Sequence, residues 1–156
     1  MIDDLVKALG LKPHPEGGFY KETYRADVGV PTERGERSAG TAIYYLLPKG
    51  TFAAFHRVLS DELWHVYDGA LALHVIDESD RYTRTVLGRN VLKGEQPQAL
   101  VKAGALQAAE PLGDYALCGC TVTPGFDFAD WRMPQLDELA MSHPQHRELF
   151  KRFTRD

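Results

Sequence analysis

Cysteine is scarce in this chain, which excludes a disulfide-stapled scaffold and a multi-thiolate metal cluster alike. Among 156 residues only Cys118 and Cys120 occur, one Gly apart in ALCGCTV. On a strand they share a face, but successive same-face side chains of one strand sit too far apart, and at the wrong angle, for a disulfide. They are expected to be buried free thiols. Long apolar runs are also missing. No stretch approaches the ~20 residues that span a bilayer, and the opening MIDDLVKALG carries acids where a secretory leader carries positive charge. A cytoplasmic location is expected. Basic charge is not in excess: 18 Lys and Arg stand against 22 Asp and Glu, for a net charge of −4. Such a chain has no general field for a polyanion, so neither nucleic acid nor membrane is an expected partner. Internal repeats and low-complexity tracts are absent too.

What is there is ordinary globular composition, 44% hydrophobic and 26% charged, at a length that suits one domain over residues 1–156. Asp3 and Asp4 suit a helix start, Leu5, Val6 and Leu9 form its apolar stripe, and Gly10 ends it. A punctuated loop follows, Pro13-His14-Pro15-Glu16-Gly17-Gly18, in which the glycines allow a turn or a close backbone approach. FYKETYRA then alternates as a strand with two different faces. Residues 28–37 are charged and turn-rich, and are expected to form a mobile surface loop.

From there SAGTAIYYLLP, TFAAFHRVL, ELWHVYDG, LALHVIDE, YTRTVLG, QALVKAG and YALCGCTVTPG succeed one another, each bounded by Gly, Pro, Asp or Asn. Short strands with no helical period between them predict an all-β sandwich or barrel. The ending changes character: MPQLDELAMS and HPQHRELFKRF carry apolar residues at helical spacing, with Ser142 placed to cap the second helix and Pro144 tolerated in its first turn. His143 and His146 are expected to be solvated or capping.

The chemistry concentrates in Gly50-x5-His56-x-Val58-x3-Glu62-x6-Gly69. If His56 ends one strand and Glu62 begins the next, imidazole and carboxylate converge inside a barrel. Such a pair can bind a metal, act as base and orienter, or hydrogen-bond a polyol. Trp64 shares strand parity with Glu62 and is expected to wall the pocket. His65 has the opposite parity and joins the pocket only across a bulge. His74 in LALHVIDE faces either the cavity or the core. Glu22 and Arg25 are candidates to hold polar substrate groups. Tyr20, Tyr24, Tyr44 and Tyr45 each offer a phenol, and Tyr44 is taken as the acid that partners a His56 base with Glu62 beside it. In PGFDFADW, Phe128 and Trp131 are expected to dock the C-terminal helices, while Phe126 and Asp127 either cap the barrel mouth or do the same.

Gly50, His56, Glu62 and Gly69 match in register the first motif of the cupin superfamily, G-x5-H-x-H-x3,4-E-x6-G, with Val58 where a second His belongs. In the second motif Gly104 matches, Lys102 replaces Pro, and Gln107 replaces the His. HPEGGFYKETYR, AIYYLL and GDYALCGCTVTPGFDFADW extend the likeness from Leu11 to Met133, and the chain resembles a cupin family labelled a domain of unknown function or a predicted sugar epimerase. The resemblance implies a double-stranded β-helix, the jelly-roll barrel, with short N-terminal and C-terminal helices, and a homodimer. It implies a small-molecule ligand, a carbohydrate by the epimerase label. It also implies a divalent metal site, here reduced to His56, Glu62 and Gln107. A carboxamide oxygen is a weak ligand for the metals that imidazole favours, so no cofactor is expected. Three functions stay open: a carbohydrate epimerase or isomerase, a small-ligand-binding cupin without turnover, and a metal-dependent oxygenase-type cupin with an incomplete ligand set.

Overall fold

The computed structural model describes residues 1–155. Helix α1 (Ile2–Leu9) ends at Gly10, whose left-handed φ of 67° turns its own N–H onto the Lys7 carbonyl and the N–H of Leu11 onto that of Val6. Strands β1 (Lys12–Pro13), β2 (Phe19–Arg25), β3 (Gly29–Thr32), β4 (Gly35–Ser38), β5 (Thr41–Pro48), β6 (Ala53–Val58), β7 (Asp61–Ile76), β8 (Tyr82–Leu87), β9 (Gln98–Val101), β10 (Leu106–Thr123) and β11 (Trp131–Arg132) follow. Helices α2 (Leu136–Ser142) and α3 (Arg147–Arg152) close the chain. The architecture is a mostly-β jelly roll with short terminal helices.

Two long strands organise the barrel. On one side β10 runs antiparallel to β7 over most of its length, from Leu106↔Ile76 to Thr123↔Asp61. On its other side it changes partner, pairing with β6 through Leu106, Gln107 and Ala109 and with β5 from Tyr115 to Val122. The change falls where the β7–β10 register shifts, between Pro111 and Ala116. Gly69 sits at that bend with φ 74°, packed so closely on the Tyr115 carbonyl that no side chain fits. The segments read separately in the sequence, ELWHVYDG and LALHVIDE, are thus one bent strand.

Alternation then sorts the side chains. Thr41, Ile43 and Tyr45 of β5 pair with Val122, Cys120 and Cys118 of β10, and these in turn face Glu62, Trp64 and Val66 of β7. Together with Leu47, Leu71, Leu73 and Leu87 they form the barrel interior. Past the bend, Ile76, Leu106 and Ala108 point to the opposite face, where Leu139, Phe150 and Phe153 of the C-terminal segment cover them along with Phe55. The expected docking of the C-terminal helices is therefore made by their own apolar stripe. Ser142 does not cap the last helix; it is the final residue of α2 and donates back to the Glu138 carbonyl. His143 and His146 are capping residues, His143 at the end of α2 and His146 at the start of α3, with side chains 18% and 16% exposed beside Asp80.

Residues 28–37 differ from the expected loop. They form an antiparallel ribbon, β3 with β4 in register Thr32↔Gly35, apart from the main sheet. Charged residues and Pro31 hide its strand character, since a two-stranded ribbon buries little and needs no apolar alternation. Arg34 and Arg37 tie it to the barrel: both grip the buried carboxylate of Asp130, Arg37 through two bonds of 2.8 and 3.0 Å. Those arginines hold the Asp130 carboxyl below the usual carboxylate range. Asp130→Ala is expected to cost about 2–3 kcal/mol, the lower part of the range for breaking a buried pair because Arg34 is partly solvated. A denaturant titration checks it.

Candidate functional site

One cavity of about 470 Å³ enters the barrel from the end where β2, β5 and the 126–131 segment meet. Such a volume suits a small organic ligand. Its floor is ionisable. His56 of β6 is 2% exposed and Glu62 of β7 is 8% exposed, and both line the cavity. Glu16, from the loop before β2, joins them at 4% exposure. Its Oε2 lies 3.2 Å from His56 Nδ1 and accepts the indole N–H of Trp131 at 3.2 Å.

The tautomer of His56 follows from its neighbours. Nδ1 is 2.8 Å from the Ala54 carbonyl, which can only accept, so Nδ1 carries the proton. Nε2 is left with its lone pair on a ring that lines the cavity. Burial pushes the His56 pKa down, opposed chiefly by the charge of Glu62. Burial pushes Glu62 up to about 7, opposed chiefly by His56. Glu16 is raised for the same reason, with His14 the leading opposing influence. Near neutral pH the floor therefore holds a free imidazole beside a carboxyl group that is about half protonated.

Gln107 and Trp64 stand behind this floor. The Trp64 indole N–H donates to Gln107 Oε1 at 2.9 Å, and Gln107 Nε2 donates to Glu62 Oε1 at 2.7 Å. The indole thus orients the amide, and the amide holds the carboxyl. Trp64, stacked on Tyr45 at 5.8 Å, backs the wall from the core and does not line the cavity as expected. The same bonds test the implied metal. Gln107's oxygen is spent on Trp64, Val58 offers no donor, and the buried thiols are pushed up, Cys118 to about 12 and Cys120 well above its ordinary value. Among the described residues no group of three or more His, Cys, Asp or Glu is disposed to hold a metal ion. The donor set does not fit one.

Of the other residues singled out in the sequence, Tyr20, Glu22, Arg25, Phe126 and Asp127 line the cavity toward its open end. Arg25 is held there by Glu22 at 2.6 Å and by the Phe126 carbonyl at 2.9 Å. Tyr24 is elsewhere: a register shift between Glu22 and Tyr24 breaks the β2 alternation, so Arg25 turns inward and Tyr24 is 61% exposed. Tyr44 is elsewhere too. Strand alternation puts it outside, edge-on to Tyr67 at 6.3 Å, while its neighbour Tyr45 faces in. His65 is likewise on the outer face, bonded to Thr121, since no bulge intervenes between Glu62 and His65. His74 lies under the C-terminal segment, between the Tyr82 hydroxyl and Glu110 at 2.7 Å each and stacked on Phe153.

Sequence reasoning passed over His14 and Glu16 as loop residues, and placed Phe128 and Trp131 as docking residues; all four line the cavity. The signal for Glu16 lay in Gly17, whose φ of 120° and contact with the Phe52 carbonyl fold the loop back over the barrel. Cys118 and Cys120 are free and buried.

An antiparallel sheet curled around a cavity with imidazole and carboxyl groups on its floor defines a cupin barrel. The chain belongs to the cupin superfamily, in the family described as DUF985, which residues 3–134 match. A hypothetical protein from Leishmania major is 34% identical, with a TM-score of 0.92 over 99% of this chain and 98% of that one. A protein of Shewanella oneidensis, also 34% identical, superposes with a TM-score of 0.90 over 98% and 96%. An uncharacterized protein of Saccharomyces cerevisiae is 29% identical over 147 residues, 83% of this chain and 73% of its own length. Oxalate decarboxylase from Bacillus subtilis shares the fold at 15% identity, with a TM-score of 0.59 over 90% of this chain and 36% of that one. Among the described residues no helix is long and apolar enough to cross a membrane.

Proposed function

We propose that this protein is a proton-transfer enzyme of the isomerase or epimerase type, acting on a small polyhydroxylated carbonyl compound such as a monosaccharide. The observation that carries the reading is the pairing of His56 and Glu62. Their environments drive the two pKa values past each other, Glu62 up and His56 down, so that near neutral pH a base and an acid coexist on one cavity floor. His56 Nε2 takes the proton from the carbon next to the carbonyl, the C–H electron pair becomes the enediol double bond, and the Glu62 carboxyl gives its proton to the carbonyl oxygen. Return of the imidazolium proton to the neighbouring carbon, with Glu62 recovering a hydroxyl proton, yields the isomer. An epimer needs an acid on the other face. We assign that role to Tyr20, which lines the cavity, since the Tyr45 hydroxyl already donates to the Gly17 carbonyl at 2.7 Å.

The wall composition supports a sugar-like ligand. Tyr20, Phe126, Phe128 and Trp131 offer ring faces to its C–H surface, and the floor offers acceptors to its hydroxyls. Incubation with a panel of aldoses, ketoses and their acids in deuterium oxide tests the reading. Uptake of one deuteron at the carbon next to the carbonyl is expected for at least one member. Binding in the cavity with no exchange for any member would make this a ligand-binding cupin instead.

We further propose that the activity needs no bound metal. Protein purified without chelator is expected to carry far less than one equivalent of any divalent ion, and chelator treatment to leave deuterium exchange unchanged; stoichiometric metal lost together with activity would reverse this. The outer face of the β7–β9 side, with Tyr67 and Leu100 about half exposed, is the surface through which we propose that two copies pair. Light scattering should return twice the chain mass.

A further inference from the structure

The loop that carries Glu16 and the strand that carries His56 are fastened together by a residue far away in sequence. The Arg155 guanidinium donates through Nε to the Glu16 carbonyl at 3.1 Å and through Nη2 to the Phe52 carbonyl at 2.6 Å, and lies 4.3 Å from the Phe52 ring centroid. The Glu16 carbonyl also accepts the Ala54 N–H at 2.8 Å, and the Phe55 N–H donates to the Phe153 carbonyl at 2.8 Å. The tail over 153–155 therefore runs beside the first residues of β6, just before His56. At Gly17 the fit is so close that a Cβ would overlap both the Phe52 carbonyl and the Arg155 guanidinium. This tail lies beyond residues 3–134, the part that matches the family.

We propose that Arg155 is a positioning residue for the proton-transfer site: its guanidinium locks the Glu16 loop onto β6, so that the Glu16 carboxyl stays against His56 Nδ1 and Nε2 stays free toward the ligand. The fork geometry is what the task requires, because one planar group must bridge two carbonyls on different segments, which a single ammonium does poorly. Its positive charge also favours the ionised form of Glu16. A carboxylate on Nδ1 makes the imidazole a stronger base, as in other carboxylate–imidazole pairs. For turnover the inference rests on the proton-transfer reading; for the state of the imidazole it does not.

The test uses the full chain with Arg155→Ala, Arg155→Lys and, as a control that loosens the same tail, Arg152→Ala, whose guanidinium packs on Phe153 at 4.7 Å. Nitrogen-15 NMR of the His56 ring, recorded without ligand, reports its tautomer and titration midpoint. Arg155→Ala is expected to mix the two neutral tautomers and to lower the midpoint, because the Glu16 carboxyl no longer stands against Nδ1. Arg155→Lys is expected to recover melting temperature without recovering the ring signature. Arg152→Ala is expected to lower melting temperature and leave the signature alone. An unchanged His56 ring in Arg155→Ala, or the same ring change in Arg152→Ala, would reduce Arg155 to a structural clasp and overturn the proposal. Where deuterium exchange is observed, Arg155→Ala should lower kcat more than it raises KM. If no panel member exchanges while the ring signature moves as expected, the proton-transfer reading fails and the positioning role stands.

Discussion

His56→Ala is expected to lower kcat/KM for deuterium exchange or isomerisation by about 10²–10⁴-fold, the usual contribution of a positioned general base. The loss should fall on kcat, because the ligand's contacts with the ring-lined walls and the open end remain. His56 is packed at 2% exposure, so the variant leaves a small polar hollow, and a melting curve recorded alongside separates lost chemistry from lost fold. The His56→Gln variant keeps most of the volume and a donor for the Ala54 carbonyl. It should be as inactive as Ala while melting closer to the parent. Activity retained in either folded variant would remove His56 from the reaction.

Glu62→Gln gives the second large effect, and it moves activity and stability in opposite directions. Gln has no proton to deliver to a carbonyl oxygen, so turnover should fall about 10²-fold or more. Stability responds through linkage. With the folded pKa raised from 4.5 to about 7, the folded protein keeps the Glu62 proton over a window in which the unfolded chain has released it. Stability from this group is therefore fully present below about pH 4.5 and declines as pH rises to about 7, by roughly 3 kcal/mol. His56, with its pKa depressed, slopes the other way below its ordinary value, so the difference between wild type and variant isolates Glu62. Glu62→Gln still accepts from Gln107 Nε2 and never has to ionise. At pH 8 it is expected to melt roughly 5–10 °C above wild type, and near pH 4.5 to melt with it. A melting temperature at pH 8 equal to or below the parent's would show that Glu62 is not held out of its charged form. In wild type the same ionisation should give the pH–rate profile an alkaline limb near 7, a value that belongs to the coupled pair.

The strand pattern was legible because alternation and turn residues are written locally, and Gly50, His56, Glu62 and Gly69 stand at barrel spacing. Parity placed Trp64 and Glu62 on one face and His65 on the other, as the structure has them. What sequence could not carry was long-range. The Tyr24 expectation failed at a bulge that only the pairing of β2 with β5 reveals. Tyr44 and Tyr45 are adjacent, and which of them faces inward depends on a register set across three strands. Glu16 gained its place from a loop folding back onto residues 52–54, a contact with no periodicity to betray it. His74 was ambiguous for the same reason: its face became core only because Phe153 covers it.

The protonation state of the floor decides between a catalytic pair and a simple ion pair. Nuclear magnetic resonance of nitrogen-15 histidine and side-chain carbon-13 glutamate in the ligand-free protein reads both groups at once. The account predicts a neutral His56 at pH 7 with its hydrogen on Nδ1, and a Glu62 carboxyl that titrates near 7. An imidazolium–carboxylate pair persisting from pH 5 to pH 8, with Glu62 ionised throughout, would contradict it.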